Sequence, residues 1–152
     1  GKDESGKILF SDEQVMSMIY PGETQWVGCQ AGNGSAVPAK VEFSVSVKES
    51  NWKKSDEAYP GFYSISNTNI VKSSYNTSVT GEIVTNKQAT LNNRAVEEAW
   101  ITVILKDADG KIVSGYNGFA SVAAEGQAKP FEIMLYNAPE FASFEAYAMP
   151  WM

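Results

Sequence analysis

Apolar and polar residues alternate most regularly over residues 41–47, where Val41, Phe43, Val45 and Val47 are separated by Glu42, Ser44 and Ser46. A period of two turns one side of an extended chain to a core and the other to water, so this spacing predicts a half-buried strand. Residues 79–85 alternate less cleanly and run into Asn86-Lys87-Gln88, a turn. Residues 100–105 are apolar on both faces, the mark of a central strand covered on each side. Asp107-Ala108-Asp109-Gly110 then reads as a reversal, with Gly110 supplying the positive φ of a hairpin bulge. The strand pattern resumes at Ile112-Val113, passes Tyr116, Phe119 and Val122, and returns over residues 131–135 and 143–147. Short strands at a spacing of about ten residues, with turn signals between them, predict an antiparallel β-sandwich.

Two segments carry helical signals. Ser11-Asp12-Glu13-Gln14 has the form of a capping box ahead of Val15, Met16 and Ile19. Residues 93–99 fit either a single helical turn or an irregular connection.

An internal repeat sets the organisation. Lys2-Asp3-Glu4-Ser5-Gly6-Lys7-Ile8 recurs 104 residues later as Lys106-Asp107-Ala108-Asp109-Gly110-Lys111-Ile112. The same offset pairs Gly22 with Gly126, Val27 with Phe131 and Cys29 with Ile133. It also lays the capping-box segment over Gly115-Tyr116-Asn117-Gly118, where two glycines make a helix poor, so residues 11–14 are read as strand or loop. A shift of five residues in the next loop brings Phe43 over Ala142 and Trp52 over Trp151. Residues 2–52 therefore read as the second half of a sandwich copy, 53–59 as a polar linker, and 60–152 as a complete copy: an all-β chain of about one and a half repeats.

Composition narrows the chemistry. The chain of 152 residues has no His and one Cys, which excludes Ser-His-Asp and Cys-His sites, imidazole-ligated metals and internal disulfides. Its net charge of −6 opposes nucleic-acid phosphates. No run of eighteen apolar residues is present, so no helical membrane span is expected. A start at Gly1-Lys2-Asp3-Glu4 is compatible with a chain from which a secretion signal has been removed.

Each candidate for chemistry has a simpler reading beside it. Asp107-Ala108-Asp109-Gly110 looks like the start of a calcium loop, yet the carboxylate such a loop needs would fall on Gly118, and a turn accounts for the motif. Glu97, Glu98 and Glu140 are the available carboxylates for glycoside chemistry and read as charged surface. Cys29, opposite Ile133 in the repeat, reads as a small buried hydrophobe without an activating base. The expectation is a protein without catalytic, cofactor or metal residues. Aromatic rings are the remaining candidates: Trp52, Tyr59, Phe62, Tyr63 and Trp151 either pack a core and linker or form a platform for a sugar or a partner chain.

Gly81-Glu82-Ile83-Val84-Thr85, the strand ending Val103-Ile104-Leu105-Lys106-Asp107, the Asp109-Gly110-Lys111 turn and the later Gly126 and Phe131 together resemble the FxLYD domain family over residues 62–149. Val103 and Lys106 stand where that family's Phe and Tyr would be. The resemblance implies an immunoglobulin-like antiparallel β-sandwich of exported bacterial proteins, often lipoproteins and often in tandem, with no catalytic residues to carry over. The expected function is a noncatalytic interaction or spacer module at a bacterial surface. It would be attached to the membrane only through a lipid anchor, with an unidentified protein or glycan as partner and an open edge strand as a route to dimers. A carbohydrate-binding module using surface aromatics is the alternative.

Overall fold

The computed structural model describes residues 1–28, 31, 36–53 and 56–151. The chain divides into two compact units, one of Gly1–Val15 with Gln30–Asp56 and one of Met16–Cys29 with Glu57–Met152. The border at 56/57 falls inside the expected linker, but residues 16–29 go with the second unit rather than with the rest of 2–52. Burial explains the transfer, since Met18 and Tyr20 pack against the second unit's core. Cys29 lies outside the described residues.

The second unit is an antiparallel all-β sandwich. One sheet holds β1 (Tyr63–Lys72), β2 (Thr77–Thr85) and β7 (Ala128–Met134) in the order β1-β2-β7. The other holds β5 (Glu98–Lys106), β6 (Ile112–Ser121) and β8 (Ser143–Trp151) in the order β6-β5-β8. A two-stranded ribbon, β3 (Thr90–Leu91) with β4 (Arg94–Ala95), fills the crossing between the sheets. Residues 93–99 are thus not a helical turn: Asn92 and Asn93 take positive φ and close this ribbon.

β5 earns its central place by sequence. Ile101, Val103 and Leu105 face the opposite sheet fully buried, and Trp100, Thr102 and Ile104 are buried on the outer face. The two sheets approach closely at Gly118, where a Cβ would stand 2.7 Å from Ile133 Cδ1. β1 was not legible as a strand, because its run of Ser64, Ser66, Asn67, Thr68 and Asn69 is polar and mostly exposed, with a bulge between Ser66 and Asn69. An edge strand needs little apolar surface, and β2 supplies its ladder.

Among its described residues the first unit holds a 3-10 turn at Glu49–Asn51 and two isolated antiparallel bridges, Lys2 to Ile8 and Lys2 to Lys40. The strand expected at 41–47 does not form: Phe43 is 92% and Val45 94% exposed. Alternation stabilises a strand only when a neighbour takes its backbone groups and covers its apolar side. Among the described residues no strand lies beside this segment.

One geometric frame nevertheless occurs twice. Asp3 N donates to Lys7 O and Gly6 N to Asp3 O, while Ser5 N and Lys7 N donate to Asp3 Oδ1. Asp107, Gly110, Asp109 and Lys111 make the same four bonds, and Gly6 and Gly110 take φ of 85° and 79°. Lys2 stands between Ile8 and Lys40 as Lys106 stands between Ile112 and Ser143. Ala39 N donates to Lys2 O at 2.9 Å, and Ala142 N to Lys106 O at 2.8 Å. Lys2 pairs with Glu42 and Lys106 with Glu145, each at 2.6 Å. A tight turn from Tyr20 to Glu23, with Gly22 at positive φ, matches that from Ala124 to Gln127 with Gly126. Beyond the loop this geometry departs from the alignment read in the sequence. Lys40 falls on Ser143 rather than Phe43 on Ala142, and Trp151 falls opposite Lys48 rather than Trp52.

Candidate functional site

The second unit carries a cleft of about 410 Å³ along the outer edge of β8. Ala146 and Ala148 belong to the side of β8 that meets the core, and Tyr147 and Met149 to the other side, so a lining that includes all four follows the strand's edge rather than one face. Tyr63 and Ile65 of β1 form a second wall, and residues 22–26 a third.

That third wall is a strap of extended chain held by specific contacts. The Trp26 ring stacks on Tyr147 with centroids 5.8 Å apart and planes at 24°. Asn117 Nδ2 donates to Gly28 O at 2.6 Å. Gly28 is required there, because a Cβ would stand 2.8 Å from both the N and the O of Tyr116. Gln25 Nε2 donates to Met18 O and to Glu23 Oε1, both at 2.8 Å. Two acceptors on that nitrogen settle the orientation of the amide and leave Gln25 Oε1 buried without a partner. Tyr63 Oη is also buried without a partner. Burial pushes the Tyr63 phenol up to about 12.

The aromatic candidates separate into three places. Trp52 is exposed in the first unit. Tyr59, Phe62 and Tyr63 come together with Tyr20, with Tyr20 and Tyr59 each 5.6–5.9 Å from their ring neighbours. Phe62 is only 4% exposed, which makes its ring a packing element, whereas Tyr59 and Tyr63 also line the cleft. Trp151 joins Trp100 and Phe119 in a second cluster on the outer face of β6-β5-β8, with centroids 4.8–5.3 Å apart. Trp26, Gln25, Trp100 and Tyr147 were not singled out as site residues from the sequence. Trp26 and Trp100 were at least visible as two of the four tryptophans. Gln25 carried no signal, because its role depends on the fold of the strap.

The electrostatics of the cleft disfavour anions. Tyr59 is pushed up by burial and then by the Glu23 carboxylate. At the far end of β8, Lys106 holds the Glu145 carboxyl below its usual range, and Tyr147 Oη donates to that carboxylate at 2.5 Å. Glu97, Glu98 and Glu140 are exposed and none of them lines this cleft. Asp107 Oδ1 is engaged by the amides of Asp109 and Lys111. Among the described residues no three metal-ligating side chains gather, and no helix is long and apolar enough to cross a membrane. In comparisons with known proteins no family model, curated protein or solved structure matches the chain.

Proposed function

We propose that the protein is a noncatalytic interaction or spacer module of a bacterial surface protein, built from successive immunoglobulin-like sandwich copies of the FxLYD kind and tethered by a lipid anchor. The observation that carries this reading is the doubled frame: the same turn, flanking bridges and Lys–Glu pair recur around Lys2 and Lys106. Serial copies of one sandwich extend a chain without needing a reaction centre. In each frame the polar side chains secure the turn and the strand end. Protease treatment of intact cells tests the location: the protein is expected to be cut from outside while a cytosolic marker survives. Equal protection of both would overturn it. Light scattering tests the open edge strands, with association rising with concentration expected and a strict monomer counting against an edge-to-edge dimer.

A second reading, a carbohydrate-binding module, is favoured by the cleft. Trp26 and Tyr147 offer stacking faces, and Gln25 Oε1 is a buried acceptor in need of a donor. A sugar hydroxyl reaches that acceptor only if the 22–26 wall gives way. Tryptophan fluorescence titrated with a glycan panel decides the matter, and an unchanged spectrum with every glycan removes this reading.

A further inference from the structure

We propose that the first unit is an open sheet whose central position, between residues 8–10 and residues 40–48, takes one extended strand with the alternation of β5, continuous with the amino end of Gly1. The proposal rests on the tandem-copy reading above and specifies what completes the partial copy.

The two positions at one end of that strand are already held. Lys2 bridges Ile8 on one side and Lys40 on the other, as the last residue of β5, Lys106, bridges Ile112 and Ser143. Gly1 N donates to Phe10 O at 3.0 Å, and Leu9 N to Gly1 O at 2.9 Å. Gly1 thereby faces Phe10 as Leu105 faces Ser114 in the second unit. Beyond this point β5 continues back to Glu98 with β8 along its full length. In the first unit residues 41–47 continue with no strand beside them among the described residues.

The face these residues present states what they would accept. Counting from the Lys40–Ser143 equivalence, Val41, Phe43, Val45 and Val47 take the places of Phe144, Ala146, Ala148 and Pro150. Those residues of β8 are on the side that meets the core. The four apolar residues are instead exposed, from 49% at Val41 to 94% at Val45. The matching partner has small and branched apolar residues at alternate positions, as Ala99, Ile101, Val103 and Leu105 have in β5. Its backbone would satisfy strand-edge groups on both sides, the mode of binding by strand addition. A second copy cannot donate its own β5, which is paired on both edges. The geometry favours an occupant in line with the chain: Gly1 holds the place of Leu105, so a strand joined to its amino nitrogen would enter the central position in register.

The test fuses the sequence of residues 98–104 directly to Gly1 of the full chain and follows amide hydrogen exchange over residues 40–48. The in-register fusion is expected to slow exchange at 41–47 by about 100-fold, as for a segment drawn into a sheet. A fusion with one extra Ala before Gly1 turns every side chain to the opposite face and is expected to restore fast exchange. Phe43→Asp in the in-register fusion is expected to do the same. Where the long fusion aggregates, one carrying residues 101–104 alone is expected to protect only the positions it reaches. Fast exchange at 41–47 in a soluble in-register fusion, with the β5 amides of the second unit still protected, overturns the proposal. Equal protection by the shifted fusion also overturns it, because apolar contact without register would then explain the effect. Protection of the unmodified chain by a free peptide of residues 98–104 would replace the in-line strand with a separate partner. The cell-surface assay is independent of all these outcomes, so failure here is distinguishable from failure of the module reading.

Discussion

Replacing Gly28 by Ala separates the strap from the sandwich it lies on. The added methyl would stand 2.8 Å from Tyr116 N and O and 3.1 Å from the carbonyl carbon of Gly115, all backbone atoms of β6 that no rotamer change can move. The strap must lift instead. Lifting removes the Asn117–Gly28 hydrogen bond, worth about 1 kcal/mol. It also loosens the Trp26–Tyr147 stack, worth roughly another 1 kcal/mol. A loss of about 2 kcal/mol raises the open population roughly 30-fold. The sandwich ladders do not depend on Gly28, so the main urea transition should move little. The assay is chymotryptic nicking after Trp26, followed by mass spectrometry, in the regime where cleavage tracks the open population. A rate about 30-fold above the parent is expected, with a red shift in fluorescence as Trp26 and Trp100 meet water. Gly115→Ala should act in the same direction more weakly, since its Cβ would meet Gly28 Cα at 3.0 Å. An unchanged nicking rate in Gly28→Ala, or a collapse of the whole sandwich together with the strap, would refute the reasoning.

Three further outcomes are expected. Ile101→Ala, in a fully buried site of the central strand, should cost about 3 kcal/mol in urea denaturation of the second unit. Tyr63→Phe removes a buried hydroxyl with no partner and should be neutral or stabilising by up to about 1 kcal/mol at pH 8. With its folded pKa raised to about 12, the parent should lose stability as pH climbs from the ordinary phenol value through 12, and the variant should lose less, measured by denaturation at several alkaline pH values. The Ser5 hydroxyl and the Lys7 amide hold the Asp3 carboxyl below its usual range. Its contribution to the turn is present above the unfolded value and is lost as pH falls through the lowered folded one, which NMR shifts of the Ser5 and Lys7 amides should report.

The parts of the fold that were legible in the sequence are those whose local pattern and tertiary role agree. β5 is apolar on both faces and is covered on both faces. The Asp107 turn closes through its own side chain and needs nothing distant. β1 was missed for the opposite reason: its polar edge has no periodicity, and only pairing with β2 makes it a strand. The cleft was least legible of all. Its walls come from residues 22–26, from Tyr59, Tyr63 and Ile65, from Trp100 and Thr102, and from residues 146–149, and no local rule connects the Gln25 amide to the Tyr63 phenol. Of the rings named from sequence, Tyr59 and Tyr63 reach the cleft, while Phe62 is buried in packing and Trp52 lies in the other unit.

The most regular alternation in the chain, over residues 41–47, belongs to a segment that forms no strand. A period of two records which side of an extended chain must meet a core, and it carries no information about whether the neighbouring strand is present. β8 has a less regular pattern and is a strand over nine residues because β5 lies beside it. Residues 40–48 begin with the same bridge and the same Lys–Glu pair, then leave the ladder after Lys40, beyond which no further bridge forms among the described residues. Among the described residues the visible difference between the two segments is the neighbour: β8 has β5 beside it and residues 41–47 have no strand. Restoring the neighbour in register should be sufficient to convert the exposed segment into its equivalent of β8.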